Sequence, residues 1–175
     1  ADISEQVCLP FLLDPAQYPL FEIPDWVSEG IIYQIFMDRF SNGDPKLNQD
    51  FSEDYYQDAV TAPAPGEYLA PNQEYYHFVD DWNDISGLQQ SKYLPEGKPD
   101  WWCFYGGDIE GVRQKLDYLE ELGVTIIYFN PLWEAKSVHK YDAADFRRVD
   151  PHFGSAKGLK ELVKEMHSRG MRVIL

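Results

Sequence analysis

The stretch HKYDAADFRRVDPHFG, His139 to Gly154, crowds histidine, aspartate, arginine and aromatic side chains into one connection. Its Tyr141 offers a ring face that can stack on a ligand and a hydroxyl that can hydrogen-bond it. His139 stands two residues before Tyr141. The competing reading is a tyrosine packed in a core and a histidine satisfied by backbone. A second stretch, SNGDPKLNQD (Ser41–Asp50), is rich in Asn and Asp around a Gly and a Pro. Such a composition suits an Asx-rich turn. It also suits a hard cation, which takes about six to eight oxygen ligands, although the spacing is not that of an EF-hand.

These residues need elements to hold them. IIYQIF (Ile31–Phe36) is a short, mostly apolar run that reads as a buried strand. Ile109, Val112, Leu116, Leu119 and Leu122 recur at helical spacing, with Asp108 placed to cap the start and Gly123 the end. VTIIYF (Val124–Phe129) is a strand apolar on both faces. Leu159, Leu162, Val163 and Met166 predict a second helix, capped by Ser155 and stopped by Gly170, and MRVIL (Met171–Leu175) predicts a third strand. Strands apolar on both faces that alternate with helices imply an α/β fold with a parallel sheet. An open doubly wound sheet and a (β/α)8 barrel both fit this pattern. FYGGDIEG (Phe104–Gly111) has GGD where a GxGxxG fingerprint would begin, which disfavours nucleotide binding. Either architecture puts loops after strands at the ligand-binding end, so His139–Gly154 falls on the functional edge.

Composition narrows the partners. The formal charge of −15 over 175 residues disfavours nucleic acid and anionic membrane, which need clustered Lys and Arg; a neutral substrate is compatible. No apolar run reaches bilayer-spanning length. Cys8 and Cys103 make neither a disulfide framework nor a zinc spacing, and read as two unpaired thiols. Residues 1–23 carry prolines and no clear period, and read as a linker or the tail of a preceding module. Between residues 42 and 103 lies a long excursion. Its acids alone would suggest disorder, but aromatics such as Phe51, Tyr55, Tyr56, Tyr75, Tyr76 and Trp82 give it surface to bury, so an ordered segment is expected.

WVSEGIIYQIFMDRFSNGDP (Trp26–Pro45), FYGGDIEGVRQKLDYLEELGVTIIYFNPLWEA (Phe104–Ala135) and HKYDAADFRRVDPHFGSAKGLKELVKEMHSRGMRVIL (His139–Leu175) resemble, in order, the alpha-amylase family of glycoside hydrolases. Within it they look most like the cyclomaltodextrinase/neopullulanase branch. The resemblance implies the first part of a (β/α)8 barrel over residues 24–175, with three strands and two helices present. A full barrel typically needs about 250 residues, so the chain is expected to be an N-terminal portion of the catalytic domain. The family's nucleophilic aspartate, general-acid glutamate and stabilising aspartate have no counterpart in residues 1–175, and no catalytic carboxylate is assigned.

What the resemblance implies for sites is specific. His139 and Tyr141 match the family's His-x-Tyr, which lines the sugar subsite next to the scissile bond. Asn42, Asp44 and Asn48, with Asp108 and the Gly106 carbonyl, resemble the structural calcium site of the branch. Leu47 departs from that pattern, standing where the family often has Asn; only its carbonyl can serve there. The alternative is an Asx-rich turn with Asp108 as a helix cap. Asp38 and Arg39, at the end of the first strand, match the family's acid–arginine pair and are expected to form a buried or rim ion pair. Asp142 and Asp145 are expected to pair with basic neighbours such as Arg147. The implied activity is retaining hydrolysis of α-glucosidic bonds in starch-type glucans or cyclomaltodextrins, through two carboxyl groups about 5–5.5 Å apart. Alternatives are a transglycosylase or isomerase on the same scaffold, and an inactive amylase-like binding subunit. A homodimer is a further implication, one that in this branch depends on the N-terminal module.

Overall fold

The computed structural model describes residues 23–49, 81–83 and 104–175. Cys8, Trp101, Trp102, Cys103, all but the last residue of the expected linker or module tail over 1–23, and most of the acidic excursion lie outside the described residues. In chain order the elements are α1 (Asp25–Ser28), β1 (Ile32–Ile35), α2 (Met37–Phe40), a 3-10 turn (Pro45–Leu47), α3 (Ile109–Gln114), α4 (Leu116–Glu121), β2 (Ile126–Phe129), β3 (Trp133–Ala135), β4 (Ala143–Val149), α5 (Ala156–Ser168) and β5 (Arg172–Ile174).

The three predicted strands form one parallel sheet in the order β1-β2-β5. Ile32 lies opposite Ile126, Ile35 opposite Phe129, and Ile126 opposite Arg172. β2 is central, and Ile126, Ile127 and Phe129 are buried, as its unbroken apolar run requires. One core cluster joins Ile35, Ile127 and Phe129 of the sheet to Val112, Leu116 and Leu119 of the first crossover and to Leu159, Leu162 and Met166 of the second. The helical stripes predicted from the sequence thus close this core, except that Leu122, the last residue of the first stripe, is exposed.

Helix ends follow local chemistry. Asp108 Oδ1 accepts from Gly111 N at 2.7 Å, and Ser155 Oγ accepts from Gly158 N at 3.0 Å. Gly170 leaves α5 at φ 80°, a backbone that Gly adopts without strain. At the far end of α5, Arg169 bonds Asp117 and Glu120 of α4 and Glu165 of its own helix, tying the two crossovers together.

Three expectations are corrected. The helix over 109–122 is broken at Lys115, which sits at φ −105°, ψ 9° and makes an i→i−3 bond to Val112 O; a single 3-10 turn separates α3 from α4. Asp38 and Arg39 do not end the first strand but lie in the helical turn α2 just beyond it. The connection after β2 is not plain loop: β3 and β4 pair antiparallel, with register shifts on both sides of Glu134. β4 shows no clean alternation, because most of its residues face solvent, so a period-2 signal never forms.

Within the described part of the acidic excursion, Trp82 packs edge-on against Phe40 at 4.9 Å and Tyr118 at 5.6 Å, with the Lys115 ammonium 4.6 Å from its ring centroid.

Candidate functional site: the loop edge of the parallel sheet

Because β1 and β2 are parallel, the loops that follow them emerge on the same edge. They touch there. The His152 ring donates from Nδ1 to Leu47 O at 2.7 Å, and Ile109 N donates to Phe153 O at 3.0 Å. Both sequence-predicted constellations therefore sit on one edge, each built on its own loop.

The first constellation is a tight knot between β3 and β4. Ser137 N donates to Asp142 Oδ2 at 3.2 Å, and the Ser137 hydroxyl donates to Asp142 Oδ1. Lys140 N donates to Ser137 Oγ at 3.1 Å. Tyr141 N donates to His139 Nδ1 at 3.1 Å. Ser137 Oγ lies 3.0 Å from the same nitrogen. A backbone N–H can only donate, so Nδ1 accepts from Tyr141 N, which puts the proton of the neutral ring on Nε2 when the Ser137 hydroxyl shares its one proton between Nδ1 and Asp142. The His139 and Tyr141 rings stand side by side, centroids 5.9 Å apart and tilted by 43°. Tyr141 is 61% exposed, so it is not packed in the core of the described residues. An open aromatic face beside an imidazole N–H donor can stack on an apolar ring face and bond a hydroxyl at its rim.

The knot is anchored from beneath by residues that the sequence reading passed over. Lys140 is 1% exposed and Asp150 wholly buried. The Lys140 ammonium lies 2.6 Å from Asp150 Oδ2 and donates to Ala135 O at 2.9 Å. Phe153 and Phe104 approach it with ring centroids at 5.3 and 5.6 Å. Asp150 is itself fixed, accepting from His152 N at 3.0 Å and Ala135 N at 3.3 Å. Burying an ammonium demands this degree of pairing, since an unpaired buried charge costs several kcal/mol. Period could have pointed to it: Val138 and Lys140 face inward while Tyr141 faces outward, a two-residue alternation with a lysine at an apolar position.

Asp142 corrects its expectation, since its carboxylate is engaged by Ser137 rather than by a basic neighbour. Asp145 does pair with Arg147, at 3.0 Å, and the guanidinium holds its carboxyl below the usual range.

The second constellation is held by Asp108. Its Oδ2 accepts from Asp44 N at 2.7 Å and Gly43 N at 3.1 Å, while Oδ1 caps α3. The Asp44 carboxylate accepts from Lys46 N at 3.1 Å, an Asx turn. Gly106 stands at φ 84° two residues before Asp108. Asn48 Oδ1 is buried with no hydrogen-bond partner among the described residues. Burial pushes the Asp108 carboxyl up, against the four backbone donors, of Asp44, Gly111, Gly43 and Glu110, that pull it down. Among the described residues, no group of three or more His, Cys, Asp and Glu side chains could hold a metal. The donors here are hard oxygens from amides, carboxylates and carbonyls, and an orphaned buried amide oxygen among them suits calcium chemistry.

Between the two constellations, Asp38 fastens α2 to the strand-like entry of α3. Its carboxylate accepts from Tyr105 N at 3.0 Å and Gly106 N at 3.2 Å, and Arg39 Nε lies 3.4 Å away. The expected buried or rim ion pair is present, with Asp38 only 3% exposed and Arg39 partly so. Burial outweighs Arg39 and the backbone donors, and pushes the Asp38 carboxyl up to about 6.

Comparison with known proteins places this arrangement in context. A family profile for the alpha-amylase catalytic domain matches residues 34–175. Neopullulanase 2 from Thermoactinomyces vulgaris is 37% identical over 156 residues, covering 89% of this chain and 20% of that protein. A cyclomaltodextrinase from Geobacillus thermopakistaniensis is 34% identical over 174 residues, covering 99% of this chain and 22% of that protein. The solved type III pullulan hydrolase from Thermococcus kodakarensis superposes with a TM-score of 0.56 at 37% identity, over 86% of this chain and 23% of that one. The chain thus spans about a fifth of the length of these relatives.

Proposed function

Since the chain belongs to the alpha-amylase catalytic-domain family, we propose that the full-length protein hydrolyses α-glucosidic bonds of starch-type glucans, pullulan or cyclomaltodextrins with retention. In this reading His139 and Tyr141 form a wall of the sugar subsite. The supporting observation is their pose on the loop edge: an open tyrosine face beside a histidine whose Nδ1 is occupied, leaving Nε2–H to donate. Neutral sugars suit such a wall, because their ring faces are apolar and their hydroxyls need partners. The names of the relatives specify pullulan and cyclomaltodextrin, in keeping with that chemistry. The reacting carboxylates are assigned to none of the present residues, so these residues bind and orient sugar rather than transfer a proton.

The test follows the anomeric protons of a linear maltooligosaccharide by NMR during turnover by the full-length protein. The α-anomer appearing first supports retention. The β-anomer first, or no release of sugar, overturns the reading.

Calcium is part of the same proposal. Asn42, Asp44, Asn48, Asp108 and the Gly106 carbonyl would hold it. The ion would supply a cross-link between the loop after β1 and the start of α3, with no role in bond cleavage. A chelator is expected to lower the Tm of the full-length protein by several degrees, with recovery on adding calcium and not magnesium. An unchanged Tm would leave Asp108 as a helix cap that also binds the Gly43–Asp44 backbone, with no ion beside it.

A further inference from the structure

Lys140 is the residue between His139 and Tyr141, and its backbone stands at φ 61°, among the described residues the one non-glycine with positive φ. That conformation is strained for a side-chain-bearing residue and persists only where its surroundings impose it. Asn or Gly would occupy it more easily. What a lysine adds is reach: its ammonium bonds Asp150 Oδ2 at 2.6 Å and Ala135 O at 2.9 Å. Phe104 and Phe153 flank it, and Asp150 is locked by two backbone N–H donors.

We propose that Lys140, held by Asp150, is a positioning residue that sets the pose and the tautomer of the His139–Tyr141 pair; its effect on sugar rests on reading that pair as a subsite wall. Drawing the lysine inward fixes the left-handed turn. The turn carries Tyr141 N onto His139 Nδ1 at 3.1 Å, and Lys140 N onto Ser137 Oγ at 3.1 Å. The first bond makes Nδ1 an acceptor and, with the Ser137 hydroxyl turned to donate to the same nitrogen from 3.0 Å, keeps the imidazole proton on Nε2. Without the anchor, the backbone relaxes to negative φ and Tyr141 N–H leaves Nδ1, whose remaining neighbour is the Ser137 hydroxyl 3.0 Å away, which can donate or accept; the histidine then samples both tautomers while the tyrosine ring loses its fixed setting.

Two readouts on the full-length protein separate this from a purely structural role. In the first, histidine is labelled with ¹⁵N and its long-range couplings are recorded at a pH where imidazole is neutral, with His139 assigned through His139→Gln. A single Nε2–H pattern is expected in the wild type and an averaged pattern in Lys140→Met. The variant Lys140→Met/Asp150→Asn removes both buried charges and keeps an acceptor for His152 N, so it should regain Tm while its His139 pattern stays averaged. The second readout is kcat/KM on a linear maltooligosaccharide. It should fall roughly 10–100-fold in both variants, since a displacement of about 1 Å can cost that much. A His139 pattern unchanged by either variant, or kcat/KM that recovers together with Tm in the double variant, overturns the proposal. If the wild type turns over no α-glucan, the subsite reading fails, and the tautomer signature alone decides whether Lys140 positions His139.

Discussion

Tyr141 and Lys140 are sequence neighbours with opposite surroundings, one 61% exposed and the other 1%. Their substitutions should therefore differ in kind. Losing either partner of the buried Lys140–Asp150 pair strands a charge, a penalty of about 3–5 kcal/mol. Tyr141→Ala strands nothing. Its stability should stay within about 0.5 kcal/mol of wild type in denaturant unfolding. Its affinity for maltooligosaccharide should fall roughly 2–10-fold in calorimetry, the worth of about 0.5–1.5 kcal/mol of ring stacking, and Tyr141→Phe should keep most of it. A Tyr141→Ala protein that binds sugar normally would remove the tyrosine from the subsite.

Among the elements, the close approach of the Ser41–Asp44 loop to α3 sets the geometry of the calcium candidates. A Cβ on Gly111 would lie 1.8 Å from Ser41 O, and one on Gly107 would lie 2.0 Å from Met37 O. Both obstacles are backbone and have nowhere to go, because Asp108 N already donates to Ser41 O and Gly107 N to Asp38 O. Gly111→Ala is therefore expected to destabilise by about 1–3 kcal/mol despite the higher helix propensity of alanine, and to weaken calcium binding with it. A chevron or urea titration measures the first. A neutral or stabilising result would mean that the loop can move away from the helix at little cost. The break at Lys115 belongs to this scale too: the apolar stripe continues through it, so spacing alone reads as one helix where the backbone makes two.

For the whole molecule, the three-stranded sheet is bounded by β1 and β5, each paired on one side only among the described residues. Ile31, Ile32, Ile174 and Leu175 are exposed at these boundaries. Unpaired apolar strand edges recruit other strands, so residues 1–175 produced alone should aggregate and show no glycosidase activity. Light scattering and a cooperative melt decide this; a monomeric, cooperatively folding, active piece would refute it. The sequence by itself determined the parallel α/β order, the two helical stripes and the caps at Asp108 and Ser155, because each depends on residue type at short spacing; it also pointed to the His139–Tyr141 and Asn/Asp stretches as site candidates. It also supported the family, through motifs in a fixed order that the match over residues 34–175 bears out. Tertiary structure alone decided the β3–β4 pairing, the inward turn of Lys140 onto Asp150 and the capture of Asp142 by Ser137. Lysine and aspartate in a polar stretch read as solvated; only the packing of Phe104, Phe153 and Ala135 around them makes burial possible, and those contacts are set by chain segments that no local pattern brings together.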